Sequence, residues 1–560
     1  MNDRRPTDDL GIVRATTDDQ PWRTVPGHVR ATVREARTAE DVVAAMLQGP
    51  RSWPLHTVQE LLHPASGAVA ALVPTGPGAR VLDLGTGWAA LGPALGTLGA
   101  DVVRADWSLD RLRFARLMHA VPGGVDVHID VRDPLAATSP GFDVALADLG
   151  ELAAAGLAPH EAERVLTEVV RAMSPSGRLV IGAEESVVRA VLRSSRGRER
   201  QASVRRLARR SGLRVVERYV ALPHRAGWRV LVPGGAARRY LLEHEQRHGW
   251  KRGVARALTR GGGHRLLAPG AFVVLAREDH GPGAQRAASW ADEGARALAL
   301  SDARVGLAGP RSFVKIALSP DQRTALVAEH QRMRAARSTR LGPYVLEAEM
   351  VGTGDVVGIR TPVVRSRAVD VATSTRVVGD VLAALDDTDH GPVSDSVLWA
   401  RLRSSRGQRD IAECEAQGIW RWADRTLSSR QVPLGPSHGD LHPENVLVPA
   451  GRPPVLVDWN RFEPRNPLVL DALYAAICHE RARTGCSLAD ALGRAADDAI
   501  PGPLARRAHQ VRGELGPLDA ATLVLLDRVA SYSLPRRRHK PWTLEPLVRA
   551  VEVLGPRLVE

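Results

Sequence analysis

Lysine is nearly missing from this sequence. Of 560 residues, only Lys251, Lys315 and Lys540 are lysine; lysine and arginine total 76, so arginine accounts for 76 − 3 = 73. So strong a preference for arginine is what a GC-rich coding bias would produce. The net charge of +13 therefore does not by itself mark a nucleic-acid binder. It does make each surviving lysine worth a question. Cysteine is equally scarce, with only Cys414, Cys478 and Cys486. Three late thiols form no disulfide framework, and their spacing with His479 is not a zinc pattern. A reducing compartment is the expectation. No run of about 18 apolar residues occurs, so no spanning helix is expected. The opening MNDRRPTDDLG has no apolar leader core. These absences together predict a cytoplasmic protein, free or peripheral at the inner membrane face.

Length and apolar content are what remain. At 560 residues and 44% hydrophobic, the chain is long enough for two to four cores at about 100–200 residues per domain. Two stretches stand out chemically.

The first in importance is His438-Gly439-Asp440-Leu441-His442-Pro443-Glu444-Asn445, running into Val446-Leu447-Val448. Thirteen residues after Asn445, the apolar run Val455-Leu456-Val457 ends in Asp458-Trp459. An apolar run of this kind reads as a buried strand. Phosphoryl transfer needs a base to orient a hydroxyl and oxygen ligands to hold magnesium on the phosphates. Asp440 suits the first task, Asn445 and Asp458 the second.

The other stretch is Ala79-Arg80-Val81-Leu82-Asp83-Leu84-Gly85-Thr86-Gly87, a short apolar strand followed by a glycine turn. Without Cβ atoms at Gly85 and Gly87, backbone can approach a ligand closely. A second strand, Asp101–Ala105, ends at Asp106, twenty-three residues after Asp83. An acidic side chain there can accept both ribose hydroxyls of a nucleoside.

These residues carry two resemblances. Residues 60–278 resemble the class I S-adenosylmethionine-dependent methyltransferases, with Ala89 in place of the last motif glycine. A dinucleotide-binding domain is the rival; its spacing would put Ala90 in the last glycine slot. The later segments favour the methyltransferase: Asp126–Asp133, Gly141–Asp148 and Met173–Ile181. The resemblance implies that Asp83, Gly85 and Gly87 hold the methionine part of S-adenosylmethionine. It implies Asp106 for the ribose, Asp130 and Val131 for the adenine, and Asp148 at the methyl end. Asp148, Glu151 and His160 are the candidates for a methyl-transfer base. The motif of enzymes that methylate exocyclic base amines is absent, since Asp148-Leu149-Gly150-Glu151 stands in its place.

From about residue 291 onward the chain resembles the aminoglycoside phosphotransferase-like kinases. That resemblance implies Asp440 as the base and Asn445 and Asp458 as magnesium ligands. His438 buttresses the loop, and Asp471 matches a later, structural aspartate. Lys315, in the apolar strand Arg311–Leu318, falls where such kinases grip the ATP phosphates, and Glu329 is its expected partner. No GxGxxG nucleotide loop is present; Gly306 and Gly309 are the nearby glycines.

The expected organisation is therefore α/β. An extension (1–58) precedes a Rossmann-like class I methyltransferase with a doubly wound, mostly parallel sheet (59–279). A linker (280–290) leads to a bilobal protein-kinase-like α+β domain (291–560). Its first lobe is about 291–365 and its helical lobe about 366–560. The cofactors and cosubstrates implied are S-adenosylmethionine, ATP and magnesium. The expected function is methylation and phosphorylation of one sugar-like acceptor, a small molecule or glycan end, phosphorylated or lipid-linked. The order of the two modules is similar to that of bifunctional enzymes that cap bacterial O-polysaccharides. Two other readings compete. One is modification of an antibiotic or other natural product. The other is an RNA-binding methyltransferase whose kinase-like part only binds. Nucleic acid is the disfavoured partner. Basic stretches at Leu192–Arg210, Arg225–Arg265 and Arg536–Lys540 read mainly as solvated faces.

Overall fold

The computed structural model describes residues 7–20, 27–39, 41–42, 69–70, 75, 77–85, 91–121, 123–136, 138–183, 204, 206–222, 230–234, 271–277, 292, 295–299, 304–353, 356–365, 371–385, 389–404, 418–449, 451–531 and 544–558. Gly87, most of the three basic stretches and the 280–290 linker lie outside these residues. The chain forms two compact units. One is Met1–Arg323 with Val351–Arg360, the other Thr324–Met350 with Thr361–Glu560.

The first unit is built on one sheet. Its strands are β1 (Val13–Arg14), β2 (Arg80–Leu84), β3 (Asp101–Asp106), β4 (Val125–His128), β5 (Phe142–Asp148), β6 (Met173–Ala183), β7 (Leu213–Leu222), β8 (Val230–Pro233), β9 (Ala271–Arg277), β10 (Arg296–Ala299), β11 (Arg304–Ala308), β12 (Ser312–Ala317), β13 (Glu349–Thr353) and β14 (Val356–Pro362). They lie in the order β1-β4-β3-β2-β5-β6-β9-β7-β8-β10-β11-β12-β14-β13. From β1 to β6 every pairing is parallel. Parallel strands need crossovers, and helices supply them: Leu91–Thr97, Leu109–Met118, Leu149–Ala154 and Pro159–Ala172. With helices on both faces, alternate residues of a strand enter different cores. Val81, Val144, Leu146 and Val180 face one core. Leu82, Leu84, Ala145, Ala147, Leu179 and Ile181 face the other.

The direction of winding reverses at β2, with β3 on one side and β5 on the other. Ligands of doubly wound sheets bind at such a switch point, outside the carboxyl ends of the strands. Asp83 and Gly85 stand there. Beyond β6 the pairings turn antiparallel, first with β9, then β7 and β8. The sheet continues through the backbone pairs Ala297↔Leu231 and Leu298↔Val230, which attach β10 to β8. Strands β10 to β12 follow antiparallel, with Lys315 opposite Gly306. The apolar core follows the sheet, so that Val305, Leu307, Val314 and Ile316 share a cluster with Val81 and Val144.

The second unit is mainly helical. Its helices Val469–Thr484, Leu488–Ala496, Pro503–Gln510, Pro517–Ser531 and Leu544–Leu554 bury alanine- and leucine-rich faces. Two short sheets accompany them. Strands β15 (Asp389–Pro392), β16 (Gln431–Ser437) and β19 (Glu463–Pro467) form an antiparallel set. β17 (Val446–Leu447) and β18 (Val455–Leu456) form a two-stranded ribbon. Among the described residues no helix is long and apolar enough to cross a membrane.

Candidate active sites

In the second unit, β16 delivers the chain into the His438–Asn445 segment. A buried carboxylate anchors that turn: Asp471, in the first turn of helix Val469–Thr484, accepts from His438 N at 2.6 Å and Gly439 N at 2.9 Å. Burial pushes the Asp471 carboxyl up, against the pull of His438 and the two backbone donors. Gly439 turns with φ 77°. A Cβ there would collide with the carbonyl oxygen of Arg461, so only glycine fits without movement.

His438 locks the segment to the next strand. Its Nε2 lies 3.1 Å from Val457 O, and its Nδ1 accepts from Asp440 N at 3.3 Å. One ring nitrogen donating and the other accepting requires a neutral imidazole. Burial lowers the pKa of His438, against the nearby carboxylates of Asp471, Asp440 and Asp458. The ring centroid sits 4.6 Å from that of Trp459, and Trp459 donates Nε1–H to Leu456 O at 2.9 Å.

The ribbon β17–β18 brings the two expected metal ligands to one end. Val446 pairs with Leu456, and Val457 N donates to Asn445 O at 3.0 Å. Asp458 therefore follows directly on the residue bonded to Asn445. Asp458 takes φ 67°, one of two non-glycine residues with positive φ among those described. Such backbone costs about 1–3 kcal/mol and gathers at functional sites. Asn445 commits its amide nitrogen to Asp440 O at 2.9 Å, so its amide oxygen is the atom suited to a cation. A carboxylate and an amide oxygen are hard donors of the kind magnesium takes beside phosphate oxygens. Among the described residues no cluster of three or more His, Cys, Asp or Glu forms a metal cage. The donor set fits a magnesium ion shared with a nucleotide.

Asp440 itself is held from the side. Arg528, on helix Pro517–Ser531, donates Nη1–H to Asp440 Oδ1 at 2.8 Å and Nη2–H to Gly439 O at 2.5 Å. Its guanidinium lies 3.6 Å over the Tyr474 ring. His442 Nε2 lies 3.8 Å from the other oxygen, Oδ2. Burial alone would push the Asp440 carboxyl up. Arg528, Arg461 and His442 outweigh it and hold Asp440 below the ordinary carboxylate value. Behind Arg528, Asp527 gathers Arg401 at 2.7 Å and Arg461 at 2.8 Å.

The sequence-derived pair Lys315 and Glu329 is placed in separate elements. Lys315 is half-buried in β12; Glu329 is buried at 2% exposure on helix Pro320–Arg337.

At the sheet switch point of the first unit, Asp83 is buried and its Oδ1 has no hydrogen-bond partner among the described residues. Burial pushes its carboxyl up to about 7, against Arg104 and aided by Asp106 and Asp126. A buried carboxylate oxygen without a partner among the described residues fits a cationic ligand such as the ammonium of a methionine moiety. Gly85 has φ 52°, and a Cβ on it would collide with the Trp107 ring. The ribose candidate Asp106 is already engaged. Its Oδ1 accepts from Ser108 N at 2.8 Å, and its Oδ2 pairs with Arg111 Nε at 3.0 Å. Burial raises Asp106 to about 6, against Arg111. Arg111 also meets Glu151 at 2.6 Å and lies 5.3 Å over the Trp107 ring. A ribose reaching Asp106 must share it with Arg111.

The remaining candidates have local roles. Asp130 Oδ1 accepts from Arg132 N at 2.8 Å. The Val131 side chain is buried in the core beside Trp107 and Ile129. Asp148 caps helix Leu149–Ala154, accepting from Gly150 N at 2.7 Å and Glu151 N at 3.1 Å. His160 is exposed.

Sequence reasoning did not find Arg528, Trp107 or Arg111. Arg528 lies 88 residues from Asp440 and is one arginine among many. Trp107 follows Asp106 directly and Arg111 lies four residues further on; that four-residue separation was the available signal.

Comparison with known proteins bears on the second half first. Residues 303–509 match the model of the phosphotransferase enzyme family, so this part of the chain is a domain of that family. No curated protein matches the sequence. Among solved structures, the chain is similar to a S-adenosylmethionine-dependent methyltransferase from Thiobacillus denitrificans in complex with S-adenosyl-L-homocysteine. Identity is 20% over 40% of this chain and 96% of that one, with a TM-score of 0.25. A second is the TehB-like methyltransferase from Corynebacterium glutamicum, at 18% identity, 39% and 89% coverage and a TM-score of 0.25. A third is the bifunctional kinase-methyltransferase WbdD, at 13% identity, 94% and 100% coverage and a TM-score of 0.25.

Proposed function

We propose that the C-terminal part transfers the γ-phosphoryl group of ATP to a hydroxyl of a sugar-like small molecule or glycan end. Asp440 carries this reading. It is a partly exposed carboxylate on a turn fixed by Asp471 and His438, with Asn445 and Asp458 brought together by the β17–β18 ribbon. In the reaction the acceptor oxygen forms a bond to the γ-phosphorus, and the bond from that phosphorus to the β-bridging oxygen breaks. ADP leaves, and the acceptor proton passes to Asp440. A carboxylate held below its ordinary pKa is fully ionised at neutral pH. It orients the hydroxyl and accepts the proton as phosphorus–oxygen bond formation acidifies it. Asn445 and Asp458 would hold magnesium, which supplies charge neutralisation on the phosphates when bound. Lys315 would grip the phosphates, with Glu329 as its partner.

We further propose that the N-terminal part binds S-adenosylmethionine at the β2 switch point and methylates the same acceptor. The observation behind this is the orphaned oxygen of Asp83. Asp83 and the Gly85 turn would take the methionine end. Asp106 would take the ribose, Asp130 and Val131 the adenine, and Asp148 would stand at the methyl end. Methyl transfer from a sulfonium needs alignment and at most one base.

The test uses the full chain with ATP, magnesium, labelled S-adenosylmethionine and a polar extract of the source cells. One molecule gaining both masses is the expected result. Two unrelated labelled molecules would end the shared-acceptor reading. Label on a natural product with a cationic sugar would favour antibiotic modification. Salt-sensitive RNA binding that survives Asp440→Ala would favour the binding-module reading.

A further inference from the structure

We infer that Arg528 is a positioning residue for phosphoryl transfer: it holds Asp440 by Oδ1 and so presents Oδ2 as the oxygen that takes the acceptor proton. The inference rests on the kinase reading above and goes beyond it, because residues 303–509 matched by the family model end before helix Pro517–Ser531 begins.

One guanidinium makes two bonds to adjacent residues of the catalytic turn, Asp440 Oδ1 at 2.8 Å and Gly439 O at 2.5 Å. Two bonds from a planar fork fix orientation as well as distance. Arg528 is in turn fixed from behind. It stacks 3.6 Å over Tyr474 and pairs with Asp527 at 3.3 Å. Asp527 is tied to Arg401 and Arg461 at 2.7 and 2.8 Å. Exposure decides which partner meets the acceptor. The Asp440 side chain is 21% exposed and that of Arg528 only 4%. The guanidinium therefore holds Asp440 from inside the protein, by Oδ1. The opposite oxygen, Oδ2, faces the His442 side. In the transfer step the new oxygen–phosphorus bond forms and the bond to ADP breaks. The hydroxyl proton then goes to Oδ2, while Oδ1 keeps its bond to Arg528.

The test follows magnesium-dependent ATP hydrolysis, with water as the acceptor probe, in the full chain carrying Arg528→Met or Arg528→Lys. Arg528→Met should lose about 10-fold or more in kcat, the scale of a misoriented catalytic group. KM for ATP should be little changed. Arg528→Lys, which keeps the charge but not the two-pronged fork, should recover part of kcat. In an Asp440→Asn background, Arg528→Met should cost little more. A purely structural brace would lower the folded fraction and leave kcat per folded molecule unchanged. If Arg528→Met does not fold, Arg528→Gln carries the same comparison. Wild-type kcat per folded molecule in Arg528→Met, with wild-type turnover intact, overturns the positioning role and leaves the kinase reading standing. Absence of turnover in the wild type overturns the kinase reading, and this role with it.

Discussion

At the scale of single residues, two carboxylates in this chain are shifted in opposite directions, and each makes a different prediction. Burial works against ionised Asp440, yet the surrounding cations hold it below its ordinary value. Asp440→Asn keeps an oxygen for Arg528 but removes the base. ATP turnover should fall by about 10²–10⁴-fold, and the melting temperature at neutral pH should drop, because the buried Arg528 loses its ionised partner. Asp83 is raised to about 7 by burial. Its folded form therefore binds a proton that the unfolded chain releases near pH 4. Stability from this group is full below that value and is lost as pH rises toward about 7. Asp83→Asn should accordingly raise stability at pH 8, by up to about 4 kcal/mol, and have little effect at pH 4. Calorimetry at the two pH values checks this. S-adenosylmethionine affinity should move the other way in wild type, rising between pH 6 and 8 as Asp83 ionises. In Asp83→Asn that rise should be absent.

At the scale of elements, the His438–Asn445 turn and its ribbon form one folded piece. The turn hangs on Asp471, the ribbon sets Asn445 beside Asp458, and Gly439 makes the corner. Gly439→Ala would place a methyl group against the Arg461 carbonyl at positive φ. The expected cost is at least about 1–2 kcal/mol for the left-handed backbone alone. Because the corner also carries the Arg528 contact, kcat should fall with it. A variant that melts like wild type and turns over ATP like wild type would show that the corner relaxes freely. This piece was legible in the sequence because it is local. His438, Asp440, Asn445 and Asp458 fall within about twenty residues, and their polar identities interrupt apolar runs. The glycine turn at Asp83–Gly85 was legible for the same reason. Arg528 was not. Its partner is distant along the chain, and arginine is the default cation here, so nothing distinguishes this one from a solvated arginine. The engagement of Asp106 by Arg111 was equally hidden, since it depends on how helix Leu109–Met118 returns past the end of β3.

At the scale of the whole molecule, chemical motifs and compact units divide the chain differently. The motifs suggest a division between 279 and 291. The first compact unit instead runs to Arg323 and adds Val351–Arg360. The reason is the β8–β10 pairing, which passes backbone bonds from one motif region to the next. An edge-to-edge pairing of this kind has no side-chain signature, and so the sequence could not announce it. A fragment of residues 1–287 would expose β8 as a bare edge. Such a fragment should melt lower, or self-associate more, than one of residues 1–362. Sedimentation and thermal melting compare the two. Equal behaviour would mean that the β8–β10 pairing contributes little.

Lys315 brings the chain's shortage of lysine back in practical form. It is one of three lysines in 560 residues, and it lies half-buried in the middle of β12. Acylating reagents that modify primary amines therefore have few side-chain targets, and mass mapping can follow each by its own peptide. Bound ATP should slow acylation of Lys315 and leave Lys251 and Lys540 reacting as before. Protection of Lys315 alone would make it a reporter of nucleotide occupancy, read against only two other lysine side chains.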